Sequence, residues 1–163
     1  MITKEEYTKI VSEWLKDYLN KEYSREYKIE VLIPKNNISK INNESIKRVE
    51  NYSLLDFYPD VLGVLTSKKS NDVKLTLLNR SISSISVKEI GEMNIYSHII
   101  NPELATLVSL RGLPNEVNSL LLNEETCHSL LNYNGKAIII LKIDENKKVD
   151  HKVTFPRQFK NYF

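Results

Sequence analysis

The chain predicts an α/β fold, a mixed sheet with helices over both faces, and three observations carry that reading. An apolar stripe at helical spacing opens the sequence. Strand-length apolar runs recur at about 27–34, 60–67, 73–80 and 105–110. A capped helical segment separates the third run from the fourth, which is the signature of a crossover and a parallel neighbour. Helices interleaved with strands in this way build a three-layer α/β domain.

Thr3 followed by Glu6 is a capping box, because each residue can satisfy a backbone donor of the other at a helix start. Tyr7, Ile10, Val11, Trp14, Leu15, Tyr18 and Leu19 then recur at spacings of three and four, one apolar stripe on a helix of roughly five turns. Residues 27–34 alternate as a strand that Pro34 ends. Residues 35–53 are polar and Asn-rich and read as a loop with one helical turn. Two strands follow, joined by the hairpin turn Lys68-Lys69-Ser70-Asn71-Asp72.

Ser86 and Glu89 form a second capping box, starting a helix that runs to about Ile100 and stops ahead of Pro102. Residues 105–110 read as a fourth, buried strand. Pro114 suits a first helical turn, and Asn123 caps a further short helix ending near Leu131, with Glu124 and Glu125 in its first turn. The tail reads as a hairpin, 136–143 against 149–155. Without repeat, low-complexity stretch or linker, residues 1–163 form one domain.

Composition bounds the function loosely. Hydrophobic content of 41% and charged content of 27% are those of an ordinary globular chain. A net charge of +2 supplies no long-range field toward nucleic acid, so a binder of this kind needs its basic residues sorted onto one face. The single cysteine, Cys127, leaves no internal disulfide and fits a reducing, cytoplasmic setting. The charged start, Met1-Ile2-Thr3-Lys4-Glu5-Glu6, predicts no signal peptide. No apolar run approaches the roughly 20 residues needed to cross a bilayer, so no membrane association is expected.

The most distinctive stretch is Tyr58-Pro59-Asp60 leading into the apolar run Val61-Leu62-Gly63-Val64-Leu65, with Leu78-Asn79-Arg80 about twenty residues on. Together with the order helix, strand, strand, strand, helix, strand over residues 3–110, this resembles the PD-(D/E)xK nuclease superfamily, the restriction-endonuclease-like fold. The resemblance implies a site for one or two divalent cations, Mg²⁺ or Mn²⁺, held by Asp60 and by an acid on the next strand, beside a lysine. Here those last two positions read Leu78 and Arg80, so the family motif is degenerate. A branch of the superfamily adds Q-x-x-x-Y on the following helix. This chain has Glu92-Met93-Asn94-Ile95-Tyr96, which keeps Tyr96 and places Glu92 at the glutamine.

Each residue carries two readings. Asp60 is a turn residue or a carboxylate ligand for Mg²⁺. Glu92, one turn before Tyr96, is either the partner of Lys88 in a surface ion pair or a migrated ligand replacing the acid lost at Leu78. Arg80 stays protonated. It either grips a phosphate oxygen or neutralises Asp60 in a dead site. The Asn79 carbonyl is a further ligand candidate, and Glu13, Glu30 and Lys88 are candidates for an acid or cation near the site. His98, His128 and His151 show no metal-ligand spacing to one another or to Cys127.

Two functions follow from the resemblance. One is a Mg²⁺-dependent deoxyribonuclease with a rearranged catalytic set of Asp60, Arg80, Glu92 and Tyr96, in which Asp60 and Glu92 hold the ion. The other is an inactive nuclease-fold protein that serves as a nucleic-acid-binding or scaffold subunit. Both imply a nucleic acid as the partner, DNA ahead of RNA, with a homodimer or larger complex common among relatives.

Overall fold

The computed structural model describes residues 1–163, and its first element grows from the first capping box. The Thr3 hydroxyl accepts the Glu6 N–H at 3.1 Å while the Glu6 carboxylate accepts the Thr3 N–H at 2.7 Å. These bonds to Thr3 hold the Glu6 carboxyl below its ordinary value. The helix they start, α1 (Lys4–Tyr23), buries Tyr7, Val11, Trp14, Leu15 and Leu19 along one stripe. Tyr7 also donates its hydroxyl to the Ile143 carbonyl at 2.8 Å, so its ring is buried with its polar end satisfied.

Three strands follow: β1 (Tyr27–Leu32), β2 (Val61–Ser67) and β3 (Val73–Ser81). They pair antiparallel in that order. The second capping box then starts α2 (Val87–Ile100), the crossover that returns the chain to β4 (Leu104–Ser109), parallel to β3. Two short helices, α3 (Asn115–Leu122) and α4 (Glu124–Leu131), lead to the two-residue β5 (Asn132–Tyr133) and to β6 (Lys136–Lys142), which lies parallel to β4. The result is an α/β fold with four helices and one mixed six-stranded open sheet, ordered β1-β2-β3-β4-β6-β5.

Strand alternation sorts the side chains into two cores. Val61, Leu65, Leu78, Val108 and Ile139 face α1, in a cluster of 13 buried residues. Leu62, Val64, Leu77, Leu107 and Ile140 face α2, α3 and α4, in a cluster of 21. Gly63 leaves the room that Leu19 of α1 and Thr76 of β3 fill. A Cβ there would overlap Thr76 Oγ1 and lie 2.8 Å from Leu19 Cδ1. No helix is long and apolar enough to cross a membrane.

Three segments depart from the sequence reading. Residues 35–53 hold not one turn but a series of 3₁₀ turns, Ile38–Lys40, Ile46–Arg48 and Tyr52–Leu54, whose Ile38 and Ile46 are fully buried. The two isoleucines make this polar stretch a lid on the larger core. Asn134 and Gly135 both have positive φ and close a tight β5–β6 hairpin, the geometry that an Asn-Gly pair favours. The final hairpin forms in only one arm. Beyond β6 the chain touches the sheet at two bridges, Val149 to Ile143 and Phe155 to Ile140. Between them the Asp150 carboxylate accepts the Lys152 N–H at 3.1 Å and diverts the chain into a 3₁₀ turn, His151–Val153.

The tail then packs on the first helix. Phe163 lies against Trp14 and Tyr18, with ring centroids 6.3 and 5.1 Å apart, and Lys147 pairs with Asp17 at 3.2 Å and Glu13 at 3.5 Å.

Candidate functional site

Pro59 is buried and delivers the chain to β2 with Asp60 half-buried at its head. The last paired residues of the β2–β3 ladder are Val61 and Leu78, and beyond them side chains take over the bonding. Asp60 donates its N–H to the Asn79 side-chain oxygen at 3.1 Å, and its own Oδ2 accepts the Arg80 N–H at 2.8 Å. The two strands are thus laced together one step past the ladder.

The same carboxylate oxygen lies 3.5 Å from the Arg80 guanidinium, at Nη1. Arg80 Nε donates to the Thr8 hydroxyl at 2.9 Å, and that hydroxyl donates to the Lys4 carbonyl at 2.7 Å. Two fixed partners therefore hold Arg80 between the head of β2 and the first turns of α1. The Arg80 and Asp60 side chains keep 20% and 30% of their surface in solvent, so the pair remains reachable.

A cleft of about 340 Å³ opens over this pair. Helix α1 contributes Glu5, Thr8 and Lys9, the two residues after β1 contribute Ile33 and Pro34, and Tyr58 forms the remaining wall. The cleft carries two cations, Lys9 and Arg80, and two acids, Glu5 and Asp60. Arg80 has further N–H donors beyond those held by Thr8 and Asp60, and Tyr58 leaves 53% of its surface exposed beside them. This lining suits one anionic group and one flat ring.

Of the residues singled out in the sequence, the structure brings Asp60 and Arg80 together and leaves the others elsewhere. Glu92 lies on α2 with its side chain 55% exposed, 3.9 Å from Lys88, and does not line the cleft. Tyr96 is half-buried on the α2 side, its ring stacked on Phe57 at a centroid distance of 4.0 Å. Phe57 stands two residues ahead of Pro59. Leu78 is fully buried under α1. Asn79 reaches Asp60 with its side chain rather than its carbonyl. Glu13 pairs with Lys147, and Glu30 accepts the Asn43 amide at 3.2 Å.

These positions decide whether a divalent cation fits. Mg²⁺ is held in such sites by one or two carboxylates besides water and substrate oxygens. Here Asp60 Oδ2 already receives a backbone N–H and a guanidinium, and Glu92 stands on the helix across the sheet. No group of three or more His, Cys, Asp or Glu converges anywhere in the chain. The residues present do not fit the metal site that the resemblance implies.

Sequence reasoning missed Glu5, Thr8, Lys9 and Tyr58. Glu5, Thr8 and Lys9 recur at spacings of three and four along the flank of the apolar stripe, so their shared helix face was readable. Their meeting with Asp60 and Arg80 depends on how α1 lies across the sheet. No protein-family profile and no curated protein sequence matches the chain.

Proposed function

We propose that the chain is a restriction-endonuclease-like protein of nucleic-acid metabolism that binds nucleic acid at the Asp60–Arg80 cleft without hydrolysing it. One observation carries the reading: Arg80 closes on Asp60 through both its guanidinium and its N–H, in the place the family motif reserves for a cation. The element order and the position of Pro59-Asp60 at the head of β2 support the fold assignment. The buried Leu78 and the remote Glu92 support the loss of hydrolysis.

Binding would use what the cleft retains. The free N–H groups of Arg80 and the ammonium of Lys9 receive a phosphate, and the exposed Tyr58 ring stacks on a neighbouring base. A single-stranded DNA segment presents both groups side by side. Glu5 and Asp60 offset the cations, so the grip is modest and sensitive to salt. Such a protein serves as a binding or scaffold subunit in the cytoplasm.

The test pairs fluorescence anisotropy on a labelled single-stranded oligonucleotide with plasmid nicking and calorimetry in Mg²⁺ or Mn²⁺. The expected outcome is salt-dependent binding weakened roughly tenfold by Arg80→Ala and by Lys9→Ala, with no nicking in either metal. Saturable metal binding, with nicking that disappears in Asp60→Asn, would instead establish a working nuclease. No binding at low salt would remove the nucleic-acid role.

A further inference from the structure

The sheet has one closed edge and one open edge. At β6, Phe155 exchanges backbone bonds with Ile140 at 2.8 and 3.1 Å, and β5 covers the start of the strand. At the other end of the sheet no strand pairs with the outer side of β1, and the one side chain that reaches its charged face is Asn43, whose amide donates to Glu30 at 3.2 Å.

The direction of its free groups follows from the bonds around it. In an antiparallel pair, alternate residues turn their N–H and C=O toward the neighbour. Lys68 donates to the Glu26 carbonyl at 2.9 Å, whereas Ser67 turns to Asp72 on the opposite side. With Lys28 registered on Thr66 and Glu30 on Val64, it is Lys28, Glu30 and Leu32 that face β2. Tyr27, Ile29 and Val31 therefore aim their backbone groups outward, and no backbone or side chain outside the sheet receives them. An edge in this state is a template for another strand.

We propose that the strand it receives is β1 of a second copy of this chain, running antiparallel about a two-fold axis at Ile29. Outward-facing residues must meet outward-facing residues, which leaves centres at Lys28, Ile29 or Glu30 for a full-length pairing. A centre at Lys28 sets that lysine against itself, and a centre at Glu30 does the same to the glutamate. Only the centre at Ile29 puts Lys28 of each copy opposite Glu30 of the other. On the opposite face it also sets Tyr27 against Val31. The charged residues would occupy the non-hydrogen-bonded positions, where side chains approach most closely. Both are exposed and neither has an ionic partner within the chain. A single repeated charge along the edge would keep copies apart, whereas opposite charges two residues apart are complementary to their own reverse.

The test is sedimentation equilibrium on the full chain, with far-UV circular dichroism to check folding. The wild type should exceed its 19.0 kDa monomer mass and approach twice that value with rising concentration. Lys28→Glu alone and Glu30→Lys alone should each weaken association roughly tenfold. Mixing the two variants should restore it, because each like-charged copy then meets its opposite. Ile29→Pro, which removes the N–H at the axis, should abolish association while leaving the edge strand folded. A wild type that stays monomeric to about 100 µM, a range that would detect even weak pairing, overturns the proposal. So does a dimer that the charge variants and Ile29→Pro leave unchanged, since it would use another surface.

Discussion

On the α1 side of the sheet, the head of β2 meets charge. Asp60, Arg80 and Thr8 are tied by bonds of 2.8 and 2.9 Å, and Lys9 and Glu5 stand beside them. On the α2 side, the same stretch of chain meets carbon, with Phe57 lying flat on Tyr96 at an interplanar angle of 21°. Asp60 and Tyr96 thus stand near one turn on opposite faces of the sheet. Asp60 builds the cleft, and Tyr96 braces the segment that carries it.

The largest test of this contrast is to rebuild the motif. Leu78→Glu would place an acid in the fully buried layer under α1, and unfolding in urea should show a loss of roughly 3–5 kcal/mol. A loss below about 1 kcal/mol would mean that Arg80 turns to receive the new carboxylate and that the α1 face can still hold an acid pair.

A smaller effect is expected on the other face. Tyr96→Ala removes the stacked ring and should cost about 2–3 kcal/mol, with nucleic-acid affinity falling only as far as the Asp60 turn loosens. Tyr96→Phe keeps the ring and should be neutral to within about 0.5 kcal/mol, because no hydrogen bond holds the hydroxyl. If Tyr96→Phe instead removes binding while the unfolding midpoint stays fixed, that hydroxyl touches ligand and the two faces share a site. The smallest effect belongs to Glu92→Gln. Its partner is the exposed Lys88, so stability should move by less than about 0.5 kcal/mol and binding not at all. A tenfold drop in affinity would bring Glu92 back to the cleft.

Elements whose cause is local were legible in the sequence. Both capping boxes form as written, Asn123 caps α4 by accepting the Thr126 N–H at 3.0 Å, and the apolar stripe of α1 is the buried one. Asn134-Gly135 was equally local and was overlooked. The final hairpin failed because Asp150 competes for the backbone in its second arm, a side-chain bond that alternation cannot reveal. The site was half-readable: Asp60 and Arg80 are twenty positions apart on paired strands, so strand register alone brings them together. Glu5, Thr8 and Lys9 join them only through the angle at which a helix crosses the sheet. Glu92 was excluded by the choice of sheet face, which the crossover fixes and the spacing to Tyr96 does not.

The ring of Phe163 against Trp14 and Tyr18 has a consequence for the order of events at synthesis. That ring is made about 145 residues after the two aromatics it covers, an interval on the order of ten seconds at common elongation rates. β6, whose Ile139 and Leu141 share the core of α1, is also late. β1, β2 and β3 cover much of the stripe sooner, through Ile29, Val31, Val61, Leu65 and Leu78, so the part under β6 and Phe163 is the last to be buried.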